Sequence, residues 1–514
     1  MSDTSLPALI EQMQQPGFYP HGCQEPIQLV QTHCSYVLLT GDYVYKLKKP
    51  VDFGFLNYST LELRHHFCNE ELRLNQRGAA DLYLEVLPIY QSGTQYQLGA
   101  TGDAVEYALK MRQFPDEGLF STMFESGKIN ESYIEDLGRV VARYHSKTET
   151  SDYISSFGSI PKVREAFDQN YEQTVGYIGG PQTQQQFDET QQYTDKFFEE
   201  RKELFQSRIA NNFIRECHGD LHMRNICLWH DQILLFDCIE FNEPFRFVDV
   251  MYDVAFTVMD LEARGRKDLA NIFLNTYTEQ TGDWEGLQVL PLYLSRQAYV
   301  RAKVTSFLLD DPGVPDSVKE ESAKTAAEYY TQAWEYTHSS TGRLILMSGV
   351  SGSGKSTTAR YLAKQIGAIH LRSDAVRKHL GGVGLYERGG SDLYTPEMTH
   401  QTYARLLELG VMLANQGFNV ILDAKYDRVN LRSDAISKAT EKGIGIQIIQ
   451  CTAPVEVLNA RLSSRSGDIA DATVDLLSSQ LQSSEAFTAS EKSYIKILDT
   501  TQPLASQLDD VIRQ

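Results

Sequence analysis

The chain has 514 residues, 42% hydrophobic and 23% charged, with a formal net charge of −20. That length exceeds one ordinary core, so two or three domains are expected, and the composition excludes a disordered or fibrous chain. From Thr341 onward there are 19 Lys and Arg against 18 Asp and Glu, so the first 340 residues carry −21, which argues against general nucleic-acid binding there.

No apolar run approaches the length needed to cross a bilayer, and the start MSDTSLPALIEQMQQ lacks a basic segment followed by an apolar one. The seven cysteines are scattered without a CxxC, which fits reduced thiols. A cytoplasmic chain with no membrane partner is expected.

In chain order, residues 27 to 47 read as a hairpin: IQLVQTHCSYVLLT, a GD turn, then YVYKLK. A helix is predicted over Ser59 to Gln76, where LELRHHFCNEELRLNQ spaces apolar residues by three and four. Strand-like runs recur at LYLEVLPIYQ and EYALKMRQF, giving a small sheet with one helix laid on it. From about Glu131 to Thr337 the pattern is mainly helical, interrupted by HGDLHMRN (218–225) and ILLFD (233–237). The segment HSSTG, 338–342, is the predicted linker. Beyond it the strands RLILMSGV, AIHLRS, FNVILDA, IQIIQCT and YIKILDT each precede a helical stretch, the alternation of a parallel α/β sheet. The predicted domains are 1–337, with a small lobe at about 25–115 and a helical large lobe at about 116–337, and then 343–514.

The stretch HGDLHMRN carries the chemistry of the first part. His218 and His222 as zinc ligands would need helical spacing, which Gly219 and Asp220 oppose, and no further ligands are evident. A phosphoryl-transfer loop needs a catalytic Asp, an Asn five residues later, and a metal-binding Asp after a strand. Asp220, Asn225 and Asp237 meet that order. Asp52-Phe53-Gly54 spells DFG but precedes the loop, and reads as a turn beside the small sheet.

The pattern HGDxxxxN resembles aminoglycoside phosphotransferases and choline kinases, which have an α+β protein-kinase-like, bilobal fold. The resemblance implies that Asp220 is the catalytic base and that Asn225 and Asp237 hold Mg²⁺. It implies that Lys46 contacts the α/β-phosphates and pairs with Glu71, with Lys48 on the same strand face and the neighbouring Glu70 as their rivals. MRQFPDEG, 111–118, resembles the hinge that meets adenine. No GxGxxG covers the phosphates, so the THCS turn would have to do so.

In the second part, Gly349, Val350, Ser351, Gly352, Ser353, Gly354, Lys355 and Ser356 match GxxxxGK[ST] without a gap, and Thr357 extends the motif into a helix-compatible run. Backbone amides there would cradle phosphate, with Lys355 reaching the β/γ-phosphates and Ser356 ligating Mg²⁺. ATP or GTP binding is predicted. Asp374, beside Arg377, is either a proton acceptor for a substrate hydroxyl or a helix N-cap. Asp423 ends FNVILDA, where an acid contacts magnesium through water. Arg461 and Arg465 fall in a lid-like polar stretch, either to stabilise a transferring phosphoryl group or to lie on a solvated surface.

These residues resemble the small P-loop kinases: zeta toxins, polynucleotide 5′-kinases, and gluconate or shikimate kinases. In the first two the acid at the Asp374 position is the general base. The whole chain resembles a bacterial fusion of an aminoglycoside-phosphotransferase-like domain with such a P-loop kinase-like ATPase domain. The expectation is a kinase with two ATP·Mg²⁺ sites, each passing a γ-phosphoryl group to a small-molecule, nucleotide or polynucleotide hydroxyl. The alternative is one active P-loop kinase joined to a regulatory nucleotide-binding module.

Overall fold

A computed structural model describes residues 6–99, 102–338, 341–464, 469–471 and 476–513. Contacts divide the chain into two units. The first is Met1–Asp136 with Arg143–Gln169 and Phe198–Asp260; the second is Leu137–Ala142 with Asn170–Phe197 and Leu261–Gln514. The division runs through the helical region, and His338, Thr341 and Gly342 of the predicted linker fall within the second unit.

The first unit holds a six-stranded antiparallel sheet, ordered β1-β2-β3-β6-β4-β5. Its strands are β1 (Gln28–Gln31), β2 (Ser35–Leu39), β3 (Tyr43–Lys48), β4 (Tyr83–Ser92), β5 (Gln95–Leu98) and β6 (Ala104–Arg112). The expected hairpin is therefore a three-stranded meander. It breaks at THCS because Thr32 Oγ1 accepts from the Ser35 amide at 2.9 Å and the Thr32 amide donates to Ser35 O at 3.0 Å. Strand β3 alternates: Tyr45 and Leu47 enter a core with Leu38, Ile89 and Ala108, which leaves Lys46 and Lys48 on the other face.

Helix Leu61–Ala79 starts two residues later than expected because Thr60 caps it, its side chain accepting from the Leu63 amide. It buries Cys68, Glu71, Leu74 and Asn75 along one stripe. Four short strands follow in two antiparallel pairs: β7 (Ile214–Glu216) with β10 (Phe247–Asp249), and β8 (Ile226–Trp229) with β9 (Gln232–Leu235). HGDLHMRN connects β7 to β8, and Asp237 lies two residues past β9. This first part is α+β, as the kinase-like reading requires.

In the second unit, β11 (Arg343–Ser348), β12 (Ile369–Arg372), β13 (Asn419–Asp423), β14 (Gly445–Thr452) and β15 (Ile495–Asp499) form a wholly parallel sheet, ordered β12-β13-β11-β14-β15. All five are strands read from the sequence. Ile345, Met347, Ile421, Ile449 and Leu498 pack under Ala359, Leu362 and Ala363 of helix Lys355–Ile366. Met347 and Arg372 both pair with Asp423, so the loop after β11, Asp423 and the start of helix Ser373–Leu380 gather at the carboxyl ends of the strands, where open α/β sheets bind ligands. Helices Lys267–Thr281, Leu290–Asp310 and Asp316–Glu335 belong to the same unit. Among the described residues no helix is long and apolar enough to cross a membrane.

Candidate active sites

The first site grows from β3. Lys46 Nζ lies 2.7 Å from Glu71 Oε1 and 3.0 Å from Asp237 Oδ1. Lys48 Nζ lies 2.7 Å from Glu71 Oε2, bonds Glu240 Oε1, and reaches Tyr58 OH at 3.2 Å. One carboxylate, Glu71, thus bridges both lysines, and only Lys46 meets Asp237. Glu70 points elsewhere, to Arg73 at 2.8 Å. Burial alone would discharge the lysines. Asp237 and Glu71 around Lys46, and Glu240 and Glu71 around Lys48, instead hold both ammonium groups well above the usual lysine range. Glu71 is likewise held below the usual carboxylate range by the two lysines, against the effect of its own burial.

Asp237 adopts φ +62°, a left-handed conformation that non-glycine residues rarely take. The Tyr83 hydroxyl accepts from its amide at 3.2 Å, and Asn75 Oδ1 accepts from the next amide, Cys238, at 2.9 Å. Its carboxyl is held low, first by Lys46, while Asp220 pushes the other way, so the two acids sense each other. Asn225 Nδ2 donates to Asp220 O at 2.9 Å and approaches Oδ2 at 3.3 Å; His222 Nε2 also lies 3.3 Å from Oδ2. The expected trio therefore comes together, with Asp220 half-buried and Asp237 half-exposed. Its donors are a carboxylate and an amide oxygen, the hard ligands that fit Mg²⁺.

Several supports were not foreseen. Helix Val250–Ala263 presents Asp253, Thr257 and Asp260 on one face, four and three residues apart. Asp253 accepts from the His218 and Gly219 amides at 2.7 and 2.8 Å, Thr257 donates to Leu221 O at 2.8 Å, and Asp260 accepts from the Met223 amide at 2.9 Å. The signal in the sequence is three polar residues at helical spacing in a mostly apolar run. Gly219 sits at φ +88°, and a Cβ there would meet Phe245 O at 2.6 Å, which excludes other residues. His145 Nε2 also contacts Asp253, at 3.2 Å. Burial would lower His218, yet Cys238, Asp253 and Asp220 raise it to about 9. Asp52-Phe53-Gly54 is a turn in which Asp52 Oδ1 accepts from the Gly54 amide at 2.9 Å.

The second site is built from backbone. Gly349, Gly352 and Gly354 all take positive φ; a Cβ on Gly349 would lie 2.6 Å from Cys451 O, and one on Gly354 would lie 2.9 Å from Thr500 Cβ. The loop runs into helix Lys355–Ile366, whose first turn holds Lys355, Ser356 and Thr357. Lys355 Nζ donates to Val350 O at 2.9 Å, folded over the loop that a phosphate would occupy. Asp423 is buried and bonded by His370 Nε2 at 3.0 Å. Burial would raise its carboxyl, but His370, Arg372 and Lys355 hold it far below the usual range. With the Ser356 hydroxyl it offers oxygen donors that fit Mg²⁺.

Asp374 lies in the first turn of helix Ser373–Leu380, whose cap position is Arg372, so the N-cap reading of Asp374 does not apply. Arg377 is buried, donates to Leu393 O at 2.7 Å and stacks 5.2 Å from the Tyr394 ring centre. Arg461 holds the loop itself, donating to Gly352 O at 3.3 Å and to Thr500 Oγ1 at 2.8 Å. Arg465 lies outside the described residues.

The AAA domain family matches residues 344–487. An adenylyl-sulfate kinase of Myxococcus xanthus is 32% identical over 127 residues, 24% of this chain and 64% of that protein. A choline/ethanolamine kinase family protein from Mesorhizobium loti is 10% identical in structure alignment, with TM-score 0.38, covering 64% of this chain and 99% of its own. The uncharacterized protein Rv2004c of Mycobacterium tuberculosis is 30% identical over 454 residues, 88% of each chain. The chain belongs to the family of that mycobacterial protein, and within it residues 344–487 match the AAA domain family.

Proposed function

We propose that both sites are ATP-dependent kinases, each moving the γ-phosphoryl group of ATP to a hydroxyl. What supports this most is the chain of ion pairs Glu71–Lys46–Asp237, next to Asp220 held by Asn225. In the first site Lys46 binds the α/β-phosphates, exchanging its contact with Asp237 for phosphate oxygen. Asp237 and Asn225 would hold Mg²⁺, as Ser356 and Asp423 would in the second site, and the bound ion would supply positive charge against the phosphates. Asp220 accepts the acceptor's proton as the new O–P bond forms and the bond from γ-phosphorus to the β,γ-bridging oxygen breaks, the electron pair leaving with ADP. In the second site the loop amides and Lys355 bind phosphate, and Asp374 takes the hydroxyl proton.

The acceptor panel for the test is aminoglycosides, small sugars and alcohols, nucleotide sugars, adenylyl sulfate and 5′-hydroxyl RNA. Transfer from γ-labelled ATP is compared for wild type, Asp220→Ala and Lys355→Ala. Loss of different products by the two variants is the expected result.

One observation favours a second reading, in which the first part only binds nucleotide. The turn between β1 and β2 is three residues, closed by the Thr32–Ser35 bonds, too short for a glycine-rich phosphate cover. That reading predicts that Asp220→Ala leaves every product unchanged.

A further inference from the structure

Strand β12 is the edge of the parallel sheet, paired only with β13. The outward amides and carbonyls of an edge strand must find other partners. Here they find a side chain. Asn275, on helix Lys267–Thr281, accepts from the His370 amide through Oδ1 at 2.7 Å and donates to Ala368 O through Nδ2 at 3.0 Å. Asn271, one turn back, donates to the same carbonyl at 2.9 Å. In a parallel ladder, a neighbouring residue opposite position i donates to the carbonyl of i−1 and accepts from the amide of i+1. Ala368 and His370 flank Ile369 in just that relation, and the carboxamide of asparagine carries one donor group and one acceptor on the same carbon.

The same helix continues toward Asp374. Glu279, four residues past Asn275, accepts from His379 Nε2 through its carbonyl at 2.8 Å, and its carboxylate lies 3.6 Å from Arg372 Nη1. Gly282 ends the helix at φ +72°; a Cβ there would meet His379 Nδ1 at 2.8 Å. Both the strand that leads to Asp374 and the helix that carries it, Ser373–Leu380, are therefore fixed by one helix from outside the αβ alternation.

We propose that Asn275 stands in for one residue of a sixth strand, which makes helix Lys267–Thr281 part of the P-loop kinase and Asn275 the positioning residue for Asp374. The positioning half rests on the reading of the second site as a kinase. The bracing half does not.

The test uses full-length Asn275→Leu, which removes both bonds to the strand and the one to Asn271 Oδ1, and Asn275→Asp, which still accepts from His370. Lys355→Ala defines the ATP turnover that belongs to this site. Amide exchange over residues 369–374, affinity for a non-hydrolysable ATP analogue, and Lys355-dependent turnover are measured. In Asn275→Leu the exchange should quicken roughly tenfold or more, since an amide loses its partner. Turnover should fall by a similar factor while analogue affinity stays within about twofold, because the loop Gly349–Ser356 is not touched. Asn275→Asp should restore most of both. Unchanged exchange in Asn275→Leu overturns the brace; faster exchange with unchanged turnover overturns the positioning role. Wild type without Lys355-dependent turnover sinks the kinase reading instead, and the exchange data still decide the brace.

Discussion

If both sites bind ATP as proposed, they solve one problem, holding polyphosphate charge, by opposite means. In the first unit the solution is side chains: two lysines on one strand face, bridged by Glu71 and tied onward to Asp237 and Glu240. In the second it is main chain: three glycines at positive φ, a helix start, and one lysine bent over the loop. A side-chain site depends on pairs that must all be present, because a buried charge without its partner is costly. A main-chain site depends on conformation, and most of its side chains are replaceable.

The largest effects separate the sites by product. Asp220→Ala should lower one transfer by about 10²–10⁴-fold and Lys355→Ala should lower the other similarly, each leaving its counterpart intact. Product analysis with γ-labelled ATP checks this, and a single variant that silences both products breaks the comparison.

Next in size is Lys48→Met, which leaves Glu71 with one lysine and Glu240 with Tyr58 alone. A stability loss of about 3–5 kcal/mol is expected in denaturant unfolding, because Lys48, Glu71 and Glu240 are all buried. Lys46→Met should cost less stability and more activity, since in the proposed mechanism Lys46 meets the nucleotide. The pH dependence follows from signs. Glu71 is held below its ordinary value of 4.5, so its contribution is present above that pH and is lost as pH falls through the folded value. Lys48→Met removes part of that shift, so acid unfolding should begin nearer to neutrality.

The contrast also explains what the sequence disclosed. The phosphate loop is contiguous, so its glycines, Lys355 and Ser356 are legible, as are the five strands whose apolar runs leave no other use. HGDLHMRN and Asp237 are legible as an ordered trio. Lys46 is the reading chosen over Lys48, but strand parity puts both on one face and leaves the rival standing; Asp237, 191 residues away, meets Lys46. The β1–β2 break is legible only as the THCS turn inside a run that otherwise reads as one strand; the Thr32 hydroxyl and the Thr32 amide close it onto Ser35. Asp253, Thr257 and Asp260 stand in the mostly apolar run VMYDVAFTVMDLEA, whose sequence does not say which backbone amides they will meet. His370 could not be assigned from a lone histidine in a strand, and Arg461 reads the same whether it meets phosphate or braces Gly352.

Glycine substitutions sharpen the main-chain half. Gly354→Ala combines positive φ with a Cβ 2.9 Å from Thr500, whereas Gly367, at φ +62°, has nothing within 4 Å. Gly367→Ala should cost about 1–2 kcal/mol from conformation alone. Gly354→Ala should cost as much and also weaken ATP-analogue binding about tenfold or more, because the loop must shift. Calorimetric titration alongside unfolding separates the two contributions.

The smallest effect tests which glutamate serves the lysines. Glu71 is the expected partner and Glu70, its neighbour on the helix, the rival; a helix turns about 100° per residue, so neighbours face different ways. Glu70 faces Arg73 at 2.8 Å and is partly solvated, and Arg246 lies 3.7 Å away. Such a pair contributes at most about 1 kcal/mol, and Glu216 still holds both arginines when it is lost. Glu70→Gln should therefore shift unfolding by less than about 1 kcal/mol and leave Asp220-dependent transfer as in wild type. Glu71→Gln, which keeps the shape and removes the charge shared by Lys46 and Lys48, should lower that transfer by at least about tenfold. Equal losses in the two variants would mean that the helix as a whole, and not the Glu71 carboxylate, sets Lys46.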